Sequence, residues 1–99
     1  MLHIVNKSPF QTQSLETCLR FAQAGSAVLL IEDGIYAAST GSSTEARMRE
    51  ASATVKLYAL KPDVDARAMG TRLIDGITLV DYAGFVDLTL EYPTVQSWL

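Results

Sequence analysis

Val28-Leu29-Leu30-Ile31 is a run of four large apolar residues that leads straight into Glu32-Asp33-Gly34 and then Ile35-Tyr36-Ala37-Ala38. An apolar run without polar alternation belongs to a strand covered on both faces. That is the habit of parallel sheets flanked by helices, not of half-exposed antiparallel ones. The stretch predicts a central strand from about Ala27 to Ile31, with a turn above its carboxyl end.

The other segments fall around that strand. Leu2-His3-Ile4-Val5 predicts a first strand, and Pro9 stops further pairing in the loop that leaves it. A helix follows, with Ser14 as its cap (a start at Ser8-Pro9 stays open), Glu16 in its first turn and Gly25 as its stop. Leu15, Cys18, Leu19, Phe21 and Ala22 share one arc of that helix, opposite Glu16, Arg20 and Gln23. Asp33 is placed to cap a helical turn holding Ile35, Tyr36 and Ala38. Residues 39–44 read as a loop, and Ser42 and Glu45 have the spacing of a capping box opening a short, mostly solvent-facing helix through Glu50. Residues 54–60 predict a third strand. Pro62, Asp63 and Asp65 then begin a short helix that ends before Gly70. After the Asp75-Gly76 turn, Ile77-Thr78-Leu79-Val80 is a fourth strand and Asp81 a cap. Tyr82, Phe85, Val86, Thr89 and Leu90 recur at helical spacing as an amphipathic helix ended by Pro93, and residues 94–99 form a last short strand.

Strand and helix alternate throughout, so the fold class is α/β: a small single-domain Rossmann-like three-layer sandwich over residues 1–99, with a mainly parallel sheet of about five strands. A composition of 48% hydrophobic and 19% charged residues excludes a disordered chain. No apolar run approaches the ~20 residues of a membrane span, and no secretory signal pattern opens the sequence, so a cytoplasmic protein is expected. The net charge of -3, with no Lys/Arg cluster, gives no electrostatic support for direct binding to nucleic acid or an anionic membrane. About four short helices can hardly cover both faces of such a sheet, and Trp98 and Leu99 add apolar bulk at the terminus. A partner subunit is expected to cover some of it.

The carboxyl ends of the strands carry Asn6 to Ser8, Glu32 to Gly34 and Asp81-Tyr82, where an open parallel sheet has its crevice. A cation or acid/base site could be built there, but Asp33 and Asp81 fall where helix caps are needed, which favours structural roles. An anion- or small-molecule-binding module using Asn6, Lys7, Ser8, Asp33 and Asp81 is the alternative. The sequence has no glycine-rich nucleotide fingerprint, no phosphate cradle and no receiver-type set of aspartates with a late lysine, so no cofactor and no metal is expected. His3, the one histidine, sits inside a strand and reads as packed or hydrogen-bonded. Cys18, the one cysteine, can form neither an intrachain disulfide nor a Cys-rich metal site. On an apolar arc, well past the helix start, it reads as a small hydrophobe; Arg20 is near in sequence, but the residues alone do not make the thiol reactive.

Residues 2–10, 28–38, 56–60, 80–89 and 95–99, taken in order and spacing, resemble the DsrH/TusB family over the whole chain. The stretch Tyr82-Ala83-Gly84-Phe85-Val86-Asp87 and the presence of Cys18 make it look closer to DsrH of sulfur-oxidising bacteria than to TusB of tRNA thiolation. The resemblance implies a non-catalytic or auxiliary subunit that joins DsrE-like and DsrF-like (TusD-like and TusC-like) subunits in a hexameric persulfide relay and works with sulfur-carrier proteins, in oxidative sulfur metabolism. The TusB-type alternative would serve 2-thiolation of the tRNA wobble uridine. In the family the main persulfide cysteine belongs to the DsrE/TusD subunit, and Cys18 aligns with a secondary DsrH cysteine, which makes it the candidate sulfur carrier here. The segment Arg67-Ala68-Met69-Gly70 departs from the family pattern, which reaches its glycine sooner after the arginine.

Overall fold

A computed structural model describes residues 1–98. In chain order it contains β1 (Leu2–Val5), α1 (Ser14–Phe21), β2 (Ala27–Leu30), a 3-10 segment (Glu32–Ala38), α2 (Glu45–Ala51), β3 (Lys56–Leu60), α3 (Lys61–Ala66), β4 (Ile77–Val80), α4 (Tyr82–Glu91) and β5 (Val95–Trp98). The strands form one sheet in the order β4-β3-β2-β1-β5, and every pairing is parallel. Leu99 lies outside the described residues.

This order explains the layers. From β1 to β4 each connection steps one strand in the same direction, so right-handed crossovers put α1, the 3-10 segment, α2 and α3 on one face. The connection from β4 to β5 returns across the whole sheet, which sends α4 alone to the other face. Two apolar clusters result. On the crowded face Val5, Val28, Leu30, Leu57 and Ala59 pack against Leu15, Cys18, Leu19, Ile35, Met48 and Val64. On the α4 face Leu2, Ala27 and Leu29 pack against Leu88, with Ile4, Tyr58, Val80 and Phe85 around them. All four residues of β2 are fully buried, as its unbroken apolar run requires.

Several local expectations are corrected. Ser14 is the first residue of α1 and not its cap; Gln13 precedes it without a side-chain bond. The helix ends at Phe21 because Ala22 is extended, and Gly25, at φ +88°, serves the later turn into β2. Phe21 leaves the buried arc: two helical turns present only Leu15, Cys18, Leu19 and part of Ala22 to the sheet, and Phe21 stacks on Trp98 with ring centroids 6.4 Å apart. Asp33 does not cap the 3-10 segment. The capping box does not close either. Thr44, the residue before α2, is in the helical region, so the extended cap geometry is lost. Ser42 bonds Ser39 and Thr44 instead, and the Glu45 carboxylate accepts the Gly41 N–H.

The largest correction concerns α4. Its arc of Tyr82, Val86 and Leu90 faces outward, and the helix meets the sheet through Leu88, with Phe85 partly buried beside it. Asp81 does cap this helix, its Oδ1 accepting the Gly84 N–H at 2.8 Å.

Candidate functional site

Helix α1 packs over β1 and β5 and turns Cys18 into the apolar cluster of the crowded face. The spacing Leu15, Cys18, Leu19 points all three side chains at Val5, Val28 and Leu30, and the thiol has no exposed surface. Burial alone pushes its pKa up to about 12. At neutral pH only ~1 in 10⁵ of such a thiol is the nucleophilic thiolate. Arg20 sits on the exposed side of the helix. In this conformation Cys18 packs in the apolar core with no exposed surface.

Strand β1 places His3 beside β5, where it is buried and accepts the indole N–H of Trp98 at Nδ1, 3.0 Å away. Accepting at Nδ1 fixes the neutral tautomer with its proton on Nε2. Burial first, and the charge of the amino terminus second, lower its pKa. His3 is thus the hydrogen-bonded strand residue its position suggests.

The carboxylates on the strand ends are taken apart by the topology. β1 and β4 are three ladders apart, roughly 14 Å, so Asn6 and Asp81 do not share a site. Asp33 accepts two bonds from the Arg67 guanidinium, at 3.0 and 3.2 Å. Asp63 accepts the Glu32 N–H at 2.7 Å, which holds Glu32 at φ +49°. Between β1 and β2 the crevice is shut: Ile31 N–H bonds the Val5 carbonyl, and Gly34 lies so close to that carbonyl that any Cβ would collide with it. Ser8 spends its hydroxyl on the Phe10 N–H, and Asn6 Oδ1 is buried without a partner. Among the described residues no three His, Cys, Asp or Glu side chains are grouped to hold a metal ion.

Two cavities among the described residues are roomy enough to consider. One of about 180 Å³ lies between the loop after β1 and α2, lined by Pro9, Thr12, Leu15, Glu16, Thr44 and Arg47. Its Glu16–Arg47 ion pair, at 3.2 Å, already satisfies its charges. The other, about 350 Å³, opens at the amino ends of β3 and β4 beside Val55, Tyr58 and Thr78. Neither includes Cys18. What the sequence reading missed are the long-range pairs, His3 with Trp98 and Asp33 with Arg67 among them; no local pattern signals partners 95 and 34 residues apart.

Comparison with known proteins decides the family. Residues 7–95 match the family described as DsrH like protein. Protein TusB of Pectobacterium parmentieri is 38% identical over 98 residues, which is 99% of this chain and 100% of that one. The chain belongs to the DsrH/TusB family. Protein TusB of Salmonella dublin is 41% identical over 80 residues, 81% of this chain and 82% of its own. Among solved structures, the ychN protein of E. coli superposes with a TM-score of 0.82 at 23% identity, covering 97% of both chains. A Methanobacterium thermoautotrophicum protein of unknown function gives 0.76 at 17% identity, covering 97% of this chain and 95% of its own. At those identities the two structures speak for the fold alone. As a member of the DsrH/TusB family the chain has the five-stranded parallel sheet described above. No helix among the described residues is long and apolar enough to cross a membrane.

Proposed function

We propose that this chain is a cytoplasmic subunit of a DsrEFH/TusBCD-like sulfur-transfer complex, and that it completes the assembly while a partner carries the sulfur. Family membership supports the first part. The observation that carries the second is the sealed thiol: Cys18 is fully buried, with a pKa of about 12. Persulfide exchange requires a thiolate that can reach a donor sulfur in line, and the core around Cys18 offers neither ionisation nor access. The partners are DsrE-like and DsrF-like, or TusD-like and TusC-like, subunits. A cation or anion module on the strand ends has less to build on, since Arg67 engages Asp33 and the Gly84 N–H engages Asp81.

Intact mass tests this reading. The wild-type chain and Cys18→Ala, alone and in the assembled complex, are incubated with a persulfide donor. The expected result is no added sulfur on this chain in either form while the complex still transfers sulfur. A gain of one sulfur mass that vanishes in Cys18→Ala and passes on to an acceptor thiol would make Cys18 a carrier and overturn the scaffolding role.

Two branches of the family remain distinct in purpose. Relatives named TusB at 38–41% identity support a role in wobble-uridine 2-thiolation, whereas Cys18 and the stretch Tyr82 to Asp87 support the DsrH-type role in sulfur oxidation. Expression in a bacterium lacking its own TusB separates them: restored 2-thiouridine assigns the chain to the thiolation branch, and no restoration despite complex formation assigns it to the other.

A further inference from the structure

We infer that the outer face of α4 is the surface through which this chain docks onto a protein partner whose matching patch is apolar and rimmed by Lys or Arg. The inference rests on the subunit reading above and adds the surface and the chemistry of its occupant.

Exposure comes first. Tyr82, Val86 and Leu90 are 62%, 56% and 79% exposed. Spaced four residues apart, they make one apolar stripe the length of the helix, ~12 Å. They are not the leftovers of a helix lacking an inner face, because Phe85 and Leu88 already serve the sheet. The helix is apolar on two adjoining arcs, and a chain this small keeps the second only against another surface. Val95, 46% exposed, extends the apolar area on the same side of the sheet, in register with the buried Leu2.

Charge then selects the occupant. Asp81, Asp87 and Glu91 carry three of the eleven acidic residues, so the rest of the chain has eight acidic against eight basic residues. The whole net charge of -3 is therefore concentrated on α4 and its cap, and no Lys or Arg follows Arg72. At roughly 100° per residue Asp87 and Glu91 flank the stripe on the Leu90 side. Two copies joined stripe to stripe would set these carboxylates against one another, and an anionic lipid surface would be repelled. A partner with apolar side chains inside a basic rim satisfies both features.

The test uses the whole chain co-expressed with DsrE-like and DsrF-like subunits, with assembly read by size-exclusion chromatography and light scattering. Because the stripe is exposed, Val86→Gln/Leu90→Gln leaves circular dichroism and melting unchanged. It is expected to weaken assembly at least about tenfold. Asp87→Lys/Glu91→Lys is expected to weaken it similarly at low salt, and to abolish the loss of affinity that the wild type shows as salt rises. Assembly of the wild type together with undiminished assembly of the Gln variant overturns the surface and leaves the subunit reading intact. Failure of the wild type to assemble at all refutes the subunit reading itself. A wild-type homodimer that the Gln variant dissociates, or a charge reversal without effect, overturns the basic-rimmed partner.

Discussion

The indole of Trp98 donates its N–H to Nδ1 of His3 across 3.0 Å, fastening the last described residue of the chain to its first strand. The bond closes the β1–β5 pairing, in which Val5 faces Trp98 in register, and Phe21 of α1 stacks on the same indole. It exists only while His3 is neutral, because a protonated Nδ1 has no lone pair to offer.

That condition gives a pH dependence with a definite sign. Burial and the amino-terminal charge hold the folded-state pKa of His3 below its ordinary 6.5. Below 6.5 the unfolded chain therefore binds more protons than the folded one. Stability from this group is complete above that pH and is lost as pH falls toward the lowered folded-state value. His3→Gln keeps an acceptor for Trp98 and removes the titration. Melting followed from pH 7.5 to pH 5 is expected to show a decline in the wild type that is visibly flatter in His3→Gln.

Cys18 makes a kinetic prediction. With the thiol buried and its pKa near 12, alkylation of the native protein at pH 8 is expected to proceed only through opening of the core, at least ~100-fold slower than for the chain in denaturant. Cys18→Ser puts a hydroxyl among Leu15, Leu19 and Val28 and is expected to cost about 1–3 kcal/mol. Rapid alkylation of the folded chain by a small maleimide would show that the thiol is open to reagents after all.

Asp81 caps α4 through a single bond to the Gly84 N–H. Asp81→Ala is expected to lower stability by about 1 kcal/mol in urea unfolding, and Asp81→Asn, which retains an acceptor oxygen, by less than half of that. Equal losses in both would assign the effect to the charge at the helix start instead of the bond.

These residues also mark where the sequence was informative. β1 and β4 were read to the residue because each is a short apolar segment bounded by turn or cap residues, and Asp81 was read as a cap because capping is decided within four residues. Asp33 has the same local appearance, yet Arg67 claims it from 34 residues away. Which apolar arc of α4 would face the sheet was equally hidden, since Tyr82-Val86-Leu90 and Phe85-Leu88 are both apolar and the choice depends on how the helix crosses β2 and β1. Cys18 was placed on the buried arc correctly, because α1 has only one arc apolar enough to bury.

Gly34 and Ala68 form a pair of opposite predictions about backbone. Gly34 lies against the Val5 carbonyl, and that contact is what lets the turn after β2 fold down over β1. A methyl group there meets the fixed backbone of Val5 and Asn6, so relief requires lifting the turn after β2 away from the end of β1. Gly34→Ala is expected to cost at least about 2 kcal/mol. Ala68 is the reverse case: it lies just past α3 at φ +53°, a conformation that glycine adopts without strain. Its side chain is exposed, so its removal gives up little packing. Ala68→Gly is expected to raise stability by about 0.5–1 kcal/mol after the extra freedom of glycine in the unfolded chain is counted. Thermal melts of the two variants should therefore move in opposite directions. A fall in Ala68→Gly would mean that the left-handed turn between Arg67 and Met69 carries no strain to relieve.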